Sequence, residues 1–245
     1  MPNDNITPFG ASVPQDRKID IIFCIDGTGS MSPCIDKVKQ NVMKFYSDFV
    51  HEMTTEHNTN IEELNIKIIT FRDYSEPEPA MEQSEWFDMN AGDDTKCQKH
   101  VDGIVADGGG DDPENGLEAL FYAMTTKWNA RGTKDRQIIV LFTDADAIKF
   151  GTQAGQPGYP SDMVDEAGLI NTWFCTRPAF LGQGEFNLND RCKRLVMFAP
   201  ANTYYQELQS KLNRSQFIPV QMDAGLGDID FKDIIKIIAA SASSV

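Results

Sequence analysis

Residues 19–31, IDIIFCIDGTGSM, constrain the fold more than any other stretch of the chain. Ile19, Ile21, Ile22, Phe23 and Ile25 form an almost unbroken apolar run, interrupted mainly by Asp20. A run this short and this rich in isoleucine predicts a strand buried on both faces, as in a parallel sheet, rather than a helix. The run ends in Asp26-Gly27-Thr28-Gly29-Ser30, a tight glycine turn that gathers one carboxylate and two hydroxyls. Hard oxygen donors at the carboxyl end of a central strand suit Mg²⁺ or Mn²⁺. On these residues alone a plainer reading stays open, an ordinary strand-to-helix turn capped by Thr28 or Ser30.

The rest of the composition narrows the class. With 245 residues, 41% of them hydrophobic, the chain can fill one sizeable α/β core. Lys+Arg 22 against Asp+Glu 37 leaves a formal net charge of −15. Nucleic acid and anionic membranes both require a positive field, so neither is expected as the main partner. No apolar run approaches the roughly 20 residues that span a bilayer. The first 16 residues, MPNDNITPFGASVPQD, lack a basic segment followed by an apolar core, so no signal peptide is expected. Five scattered cysteines without a CxxC argue against a zinc site and for a reduced, cytoplasmic chain. His51, His57 and His100 sit in polar surroundings without metal-ligand spacing and are expected at the surface.

Read in order, residues 1–17 predict a loosely ordered arm, residues 18–241 one domain, and residues 242–245 a short tail. Ser32-Pro33 opens a helix, with Ser32 as cap. Ile35, Val38, Val42, Phe45, Phe49 and Met53 continue it at three- and four-residue intervals to about Glu56. The run 64–71 is a second strand, which a crossover of this length makes parallel to the first. Its end, Arg72-Asp73-Tyr74, is either a solvated structural pair or part of a ligand rim. Residues 85–89 predict a short antiparallel edge strand, and 93–105 a helix. In DGGGDDPENG, residues 107–116, three glycines permit an unusual backbone path before Pro113 and Glu114 open a helix. The run 137–143 is a third buried strand, ending in Asp144-Ala145-Asp146. Asp146 is expected to cap or hydrate the loop. A long connection, 145–193, precedes a strand at 194–199, a helix at 204–212, a strand at 216–220 and a helix at 229–240. The result is a doubly wound, Rossmann-like, mostly parallel sheet with one antiparallel edge strand and helices on both faces. The first and third strands lie at its centre, where such folds bind ligands.

Three loops, about 80 and about 30 residues apart in sequence, thus fall on one face of that sheet. Taken together, DGTGSM, FRDY and GGGDxPE resemble the intracellular members of the von Willebrand factor A family, whose metal-ion-dependent adhesion site begins Asp-x-Ser/Thr-x-Ser. The resemblance implies Thr28 and Ser30 as direct ligands of Mg²⁺, with Mn²⁺ or Ca²⁺ as alternatives. Asp26, Asp111 and Asp144 would bind directly or through water. An Asp or Glu of a protein partner would complete the coordination. Asp111 stands where other members carry a metal-binding Thr. The extra negative charge should tighten cation binding and make the bound ion less attractive to an anionic partner. The family also implies that residues 145–193 help set partner specificity; a poorly specified surface insertion is the alternative.

An enzyme is not expected, and no catalytic residue is assigned. A haloacid-dehalogenase-like phosphatase would need a nucleophilic Asp at position 24, where this chain has Cys24, inside a strand and with no His near it in sequence. GTGS does not complete GxGxxG, and a strand-end Asp would repel a pyrophosphate. A metal-dependent hydrolase with an Asp-rich site is the alternative to the binding module.

Overall fold

The computed structural model describes residues 14–75, 79–108, 113–175, 188–221 and 229–244. The isoleucine run lies in strand β1 (Gln15–Asp26). It is followed in chain order by α1 (Ser32–Thr55), β2 (Thr59–Phe71), β3 (Met81–Gln83), β4 (Phe87–Asp88), α2 (Asp94–Asp102) and α3 (Gly116–Thr125). The chain continues with β5 (Arg136–Phe142), α4 (Glu166–Trp173), β6 (Lys193–Pro200), α5 (Tyr204–Lys211), β7 (Ser215–Val220) and α6 (Phe231–Ser243). The sheet order is β3-β2-β1-β5-β6-β7, with β4 also paired to β2. β1 is parallel to both β2 and β5, so the winding reverses beside it, as the crossover lengths predict. The antiparallel edge is built in two pieces. Met81 faces Phe71, and Phe87 faces Ile66.

Alternation along β1 divides the core in two. Ile19, Ile21 and Ile25 pack under α1, α2 and α6, while Ile22 and Cys24 pack under α3, α4 and α5. The periodic face of α1 is buried at Ile35, Val42, Phe45, Phe49 and Met53, so its 3.6-residue repeat serves as the anchor. Each such side chain contributes about 1.5–3 kcal/mol when fully buried.

Several boundaries differ from expectation. β1 begins at Gln15 rather than after an arm ending at 17, because Gln15, Asp16 and Arg17 pair with Thr59, Asn60 and Ile61. Residues 1–13 lie outside the described residues. At the other end Ala242, expected in a tail, is buried within α6. Three buried arginines hold that helix end. Arg17 and Arg136 donate to the Ala242 carbonyl at 3.0 and 2.7 Å, and Arg136 and Arg194 each donate to the Ser244 carbonyl at 2.6 Å. They satisfy carbonyls that a helix terminus leaves open and complement its negative dipole end. A 3-10 turn, Gly29–Met31, precedes α1, so Ser32 is the first helical residue and not the cap. α2 stops at Asp102, with Val105 outside it. His100 is half-buried against the Phe87 ring, 5.8 Å between centroids, rather than exposed.

Candidate metal centre

The carboxyl ends of β1 and β5 bring four of the five predicted residues into one chain of contacts. Asp26 closes β1 and is fully buried. Its Oδ1 accepts from the backbone N–H of Thr28 at 3.0 Å and from the Thr28 hydroxyl at 2.7 Å. Its Oδ2 accepts from the hydroxyl of Thr143, just beyond β5, at 2.7 Å. The Ser30 hydroxyl lies 3.3 Å from that of Thr28 and donates to Asp144 Oδ1 at 3.0 Å. Neither the 3-10 turn nor α1 receives a side-chain cap at its start, so the capping alternative is not realised. The two hydroxyls face carboxylates instead.

Backbone bonds stitch the three loops together. The N–H of Asp107 donates to the Gly27 carbonyl at 3.1 Å, and that of Gly29 to Gly108 at 3.0 Å. Glu114 donates to the Asp146 carbonyl at 2.9 Å and accepts from Ile148 at 2.9 Å. That pairing uses Glu114 as a strand-like residue, which is why α3 starts at Gly116 and not at Pro113-Glu114. Arg72, expected as part of a solvated pair or a ligand rim, is buried and works as a staple. Its Nε donates to the Gly27 carbonyl at 3.1 Å and its second terminal nitrogen to Val105 at 2.7 Å. Gly27 must be glycine here, since a Cβ would come within 2.7 Å of Thr70 and 2.9 Å of the guanidinium carbon. Asp73 stays at the rim, bonded to Ser75 and to the Gln153 amide from the long connection.

Burial pushes the Asp26 carboxyl up to about 6; the bonds from Thr28 and Thr143 oppose the rise, and the Asp144 charge adds to it. The centre thus holds a carboxylate whose charge is poorly solvated by protein alone.

The family model for the von Willebrand factor A domain matches residues 20–154, the span that carries all three loops. The chain belongs to the von Willebrand factor A domain family. Membership makes it a protein-interaction module in general character. Among solved structures it is similar to the pilus adhesin SpaC from Lactobacillus rhamnosus GG in its open conformation. The TM-score is 0.51 and the identity 12%, over 93% of this chain and 30% of the adhesin. Another crystal structure of SpaC from Lactobacillus rhamnosus GG gives 0.51 and 11%, with the same coverage. This von Willebrand A domain therefore spans about 30% of the length of that adhesin, and the likeness is one of fold. No curated protein matches the sequence.

The donor set of this A domain fits a hard cation. Among the described residues no three His, Cys, Asp or Glu side chains cluster as a metal site. The centre instead offers two carboxylates, Asp26 and Asp144, and the hydroxyls of Thr28 and Ser30, all oxygen donors. The remaining predicted ligand, Asp111, lies outside the described residues. Asp146 accepts from the N–H of Ala147 at 2.7 Å and of Tyr204 at 2.8 Å, the capping role expected of it. Cys24 is fully buried, and burial pushes its thiol well above the ordinary range. Sequence reasoning did not single out Thr143. The signal was a hydroxyl residue directly before Asp144, at a strand end parallel to that of Asp26.

Proposed function

We propose that this A domain binds a divalent cation, Mg²⁺ in the first place with Mn²⁺ or Ca²⁺ as alternatives, and uses it to capture an acidic side chain of a protein partner. Thr28 and Ser30 would hold the ion by their hydroxyl oxygens, and Asp26, Asp111 and Asp144 would hold it directly or through water. The observation that carries the reading is the chain Thr143–Asp26–Thr28–Ser30–Asp144, in which both loop hydroxyls turn onto strand-end carboxylates and leave the following helix uncapped. When bound, the ion supplies a positive charge able to accept a carboxylate of the partner. The protein's part is to hold the donors in register, which Arg72 and the backbone bonds between the loops do.

Asp111 in place of a neutral hydroxyl residue adds negative charge, so retention of the ion is favoured over strong capture of an anion. The reading includes no catalytic turnover, and the buried, protonated Cys24 supports that choice over a hydrolase. It also includes a cytoplasmic location, the reading that five scattered cysteines without a CxxC favour. Among the described residues no helix is long and apolar enough to cross a membrane. Affinity capture from the native host, run with Mg²⁺ and with excess EDTA, tests the reading. A partner should be retained with Mg²⁺ and released by EDTA, and it should be lost with Ser30→Ala. A partner held equally well in EDTA would contradict cation-mediated capture.

A further inference from the structure

On one side the sheet ends in β7, and no strand among the described residues pairs with its outer edge. Leu195 pairs with Ser215, and its N–H donates to the Arg214 carbonyl at 3.1 Å. In a parallel ladder that parity turns the backbone groups of Gln216, Ile218 and Val220 toward β6. Those of Ser215, Phe217 and Pro219 point outward. A groove of about 390 Å³ follows this edge between α5 and α6, lined by Gln209, Phe217, Ile218, Ile237 and Ala240. Natural sheet edges are commonly blunted by charge, but β7, SQFIPV, has no charged side chain.

The outward groups fit a second β7. Phe217 offers an N–H and a carbonyl, and neither has a partner among the described residues. Ser215 offers its N–H, while its carbonyl already accepts from Gln209 Nε2 at 3.4 Å. Pro219 offers a carbonyl and has no N–H. When β7 is set antiparallel against itself with Phe217 at the centre, the two Phe217 residues exchange both bonds. Each Ser215 N–H then meets the Pro219 carbonyl of the second copy. The group left opposite the missing Pro219 N–H is the Ser215 carbonyl, which Gln209 satisfies from within the same chain. Charge agrees with this arrangement. Two chains of net charge −15 meet along a strand without charges. The antiparallel register also holds the two Arg214 residues about 20 Å apart, whereas a parallel one would bring them together.

We propose that β7 is a homodimer interface, in which two copies of this chain pair their β7 strands antiparallel about a two-fold axis at Phe217. The two seven-stranded sheets then form one continuous sheet. Each copy has a single β7, so the pairing closes at two. The partly buried Phe217 side chains stand opposite each other on the α5 side, with Cα atoms about 5.5 Å apart. An edge of 6 residues makes a smaller contact than a standard interface, so the association belongs in the micromolar range.

Sedimentation of the full-length chain tests this, in EDTA and with enough salt to screen two acidic molecules. Between about 1 and about 200 μM, wild type should pass from monomer to dimer. Gln216→Lys sets a charge against Ile218 of the second copy, and Phe217→Pro removes an outward N–H without touching the bonds to β6. Each should weaken dimerisation at least about tenfold, since each change acts twice across the two-fold axis. Urea midpoints at low concentration report whether the variants are folded. If either variant fails to fold, hydrogen exchange on wild type decides. Amides 215 and 217 that slow as concentration rises support the pairing, and amides that do not respond overturn it. The inference is also overturned if wild type stays monomeric or assembles beyond two copies. Folded Gln216→Lys and Phe217→Pro that dimerise as well as wild type would overturn it equally.

Discussion

At the scale of single residues, the centre turns on one fully buried carboxylate, Asp26. Asp26 titrates at about 6 in the folded chain, against about 4 when unfolded. Between those values the folded state holds the proton more tightly. In EDTA, stability should therefore fall as pH rises from about 4 to about 6 and level off above, a change on the order of 3 kcal/mol. The response to Mg²⁺ should run the other way, growing as pH rises through about 6, because only the ionised carboxylate binds the ion. Melting temperatures from pH 4.5 to 7.5, with and without Mg²⁺, check both signs, and Asp26→Asn should remove this component. The hydroxyl and carboxylate spacing of 26–30 was legible in the sequence, as was Asp144 at the end of an apolar run. Thr143 was not, because its bond to Asp26 arises from the adjacency of β1 and β5, which no local spacing encodes.

Elements position these residues through a few connections that can be broken one at a time. Arg72 ties the first loop to the segment leading into the second through its bonds to Gly27 and Val105. Lysine lacks the planar fork needed to hold two carbonyls, and each charged bond to a buried carbonyl is worth about 1.5–3 kcal/mol. Arg72→Lys should lower stability by about 2–3 kcal/mol in urea denaturation and weaken Mg²⁺ binding as well. Unchanged Mg²⁺ affinity would mean that the loops keep their register without the staple. The strands were readable from apolar runs, and α1 from its periodicity. The start of α3 was not, since Pro113-Glu114 has the composition of a first helical turn but its backbone is taken by Asp146 and Ile148. Of the split edge, Phe87–Asp88 falls within the strand expected at 85–89, whereas Met81–Gln83, only 3 residues long, was hidden.

At the scale of the whole molecule, the doubly wound order followed from crossover geometry, which placed β1 beside β5 before any contact was known. Charge is distributed with the same polarity. The acidic loops stand at the carboxyl ends of the strands, and Arg17, Arg136 and Arg194 are buried at the amino ends, gripping the end of α6. Polar residues at both chain ends had suggested an arm and a tail. Among the described residues, the strand pairing of Gln15–Arg17 and the burial of Ala242 bring those positions into the fold. The proposed function rests on the cation, and a Mg²⁺ titration followed by thermal unfolding tests it directly. At about 100 times the dissociation constant, wild type should gain about 2.7 kcal/mol, or about 5–10 °C in melting temperature. Asp26→Ala and Asp144→Ala should lose the gain, and they should also lower metal-free stability, because Thr28, Thr143 and Ser30 lose their acceptors. Ser30→Ala should reduce the gain. Equal Mg²⁺ shifts in wild type and all three variants would place the ion elsewhere on the acidic surface and contradict the proposed centre.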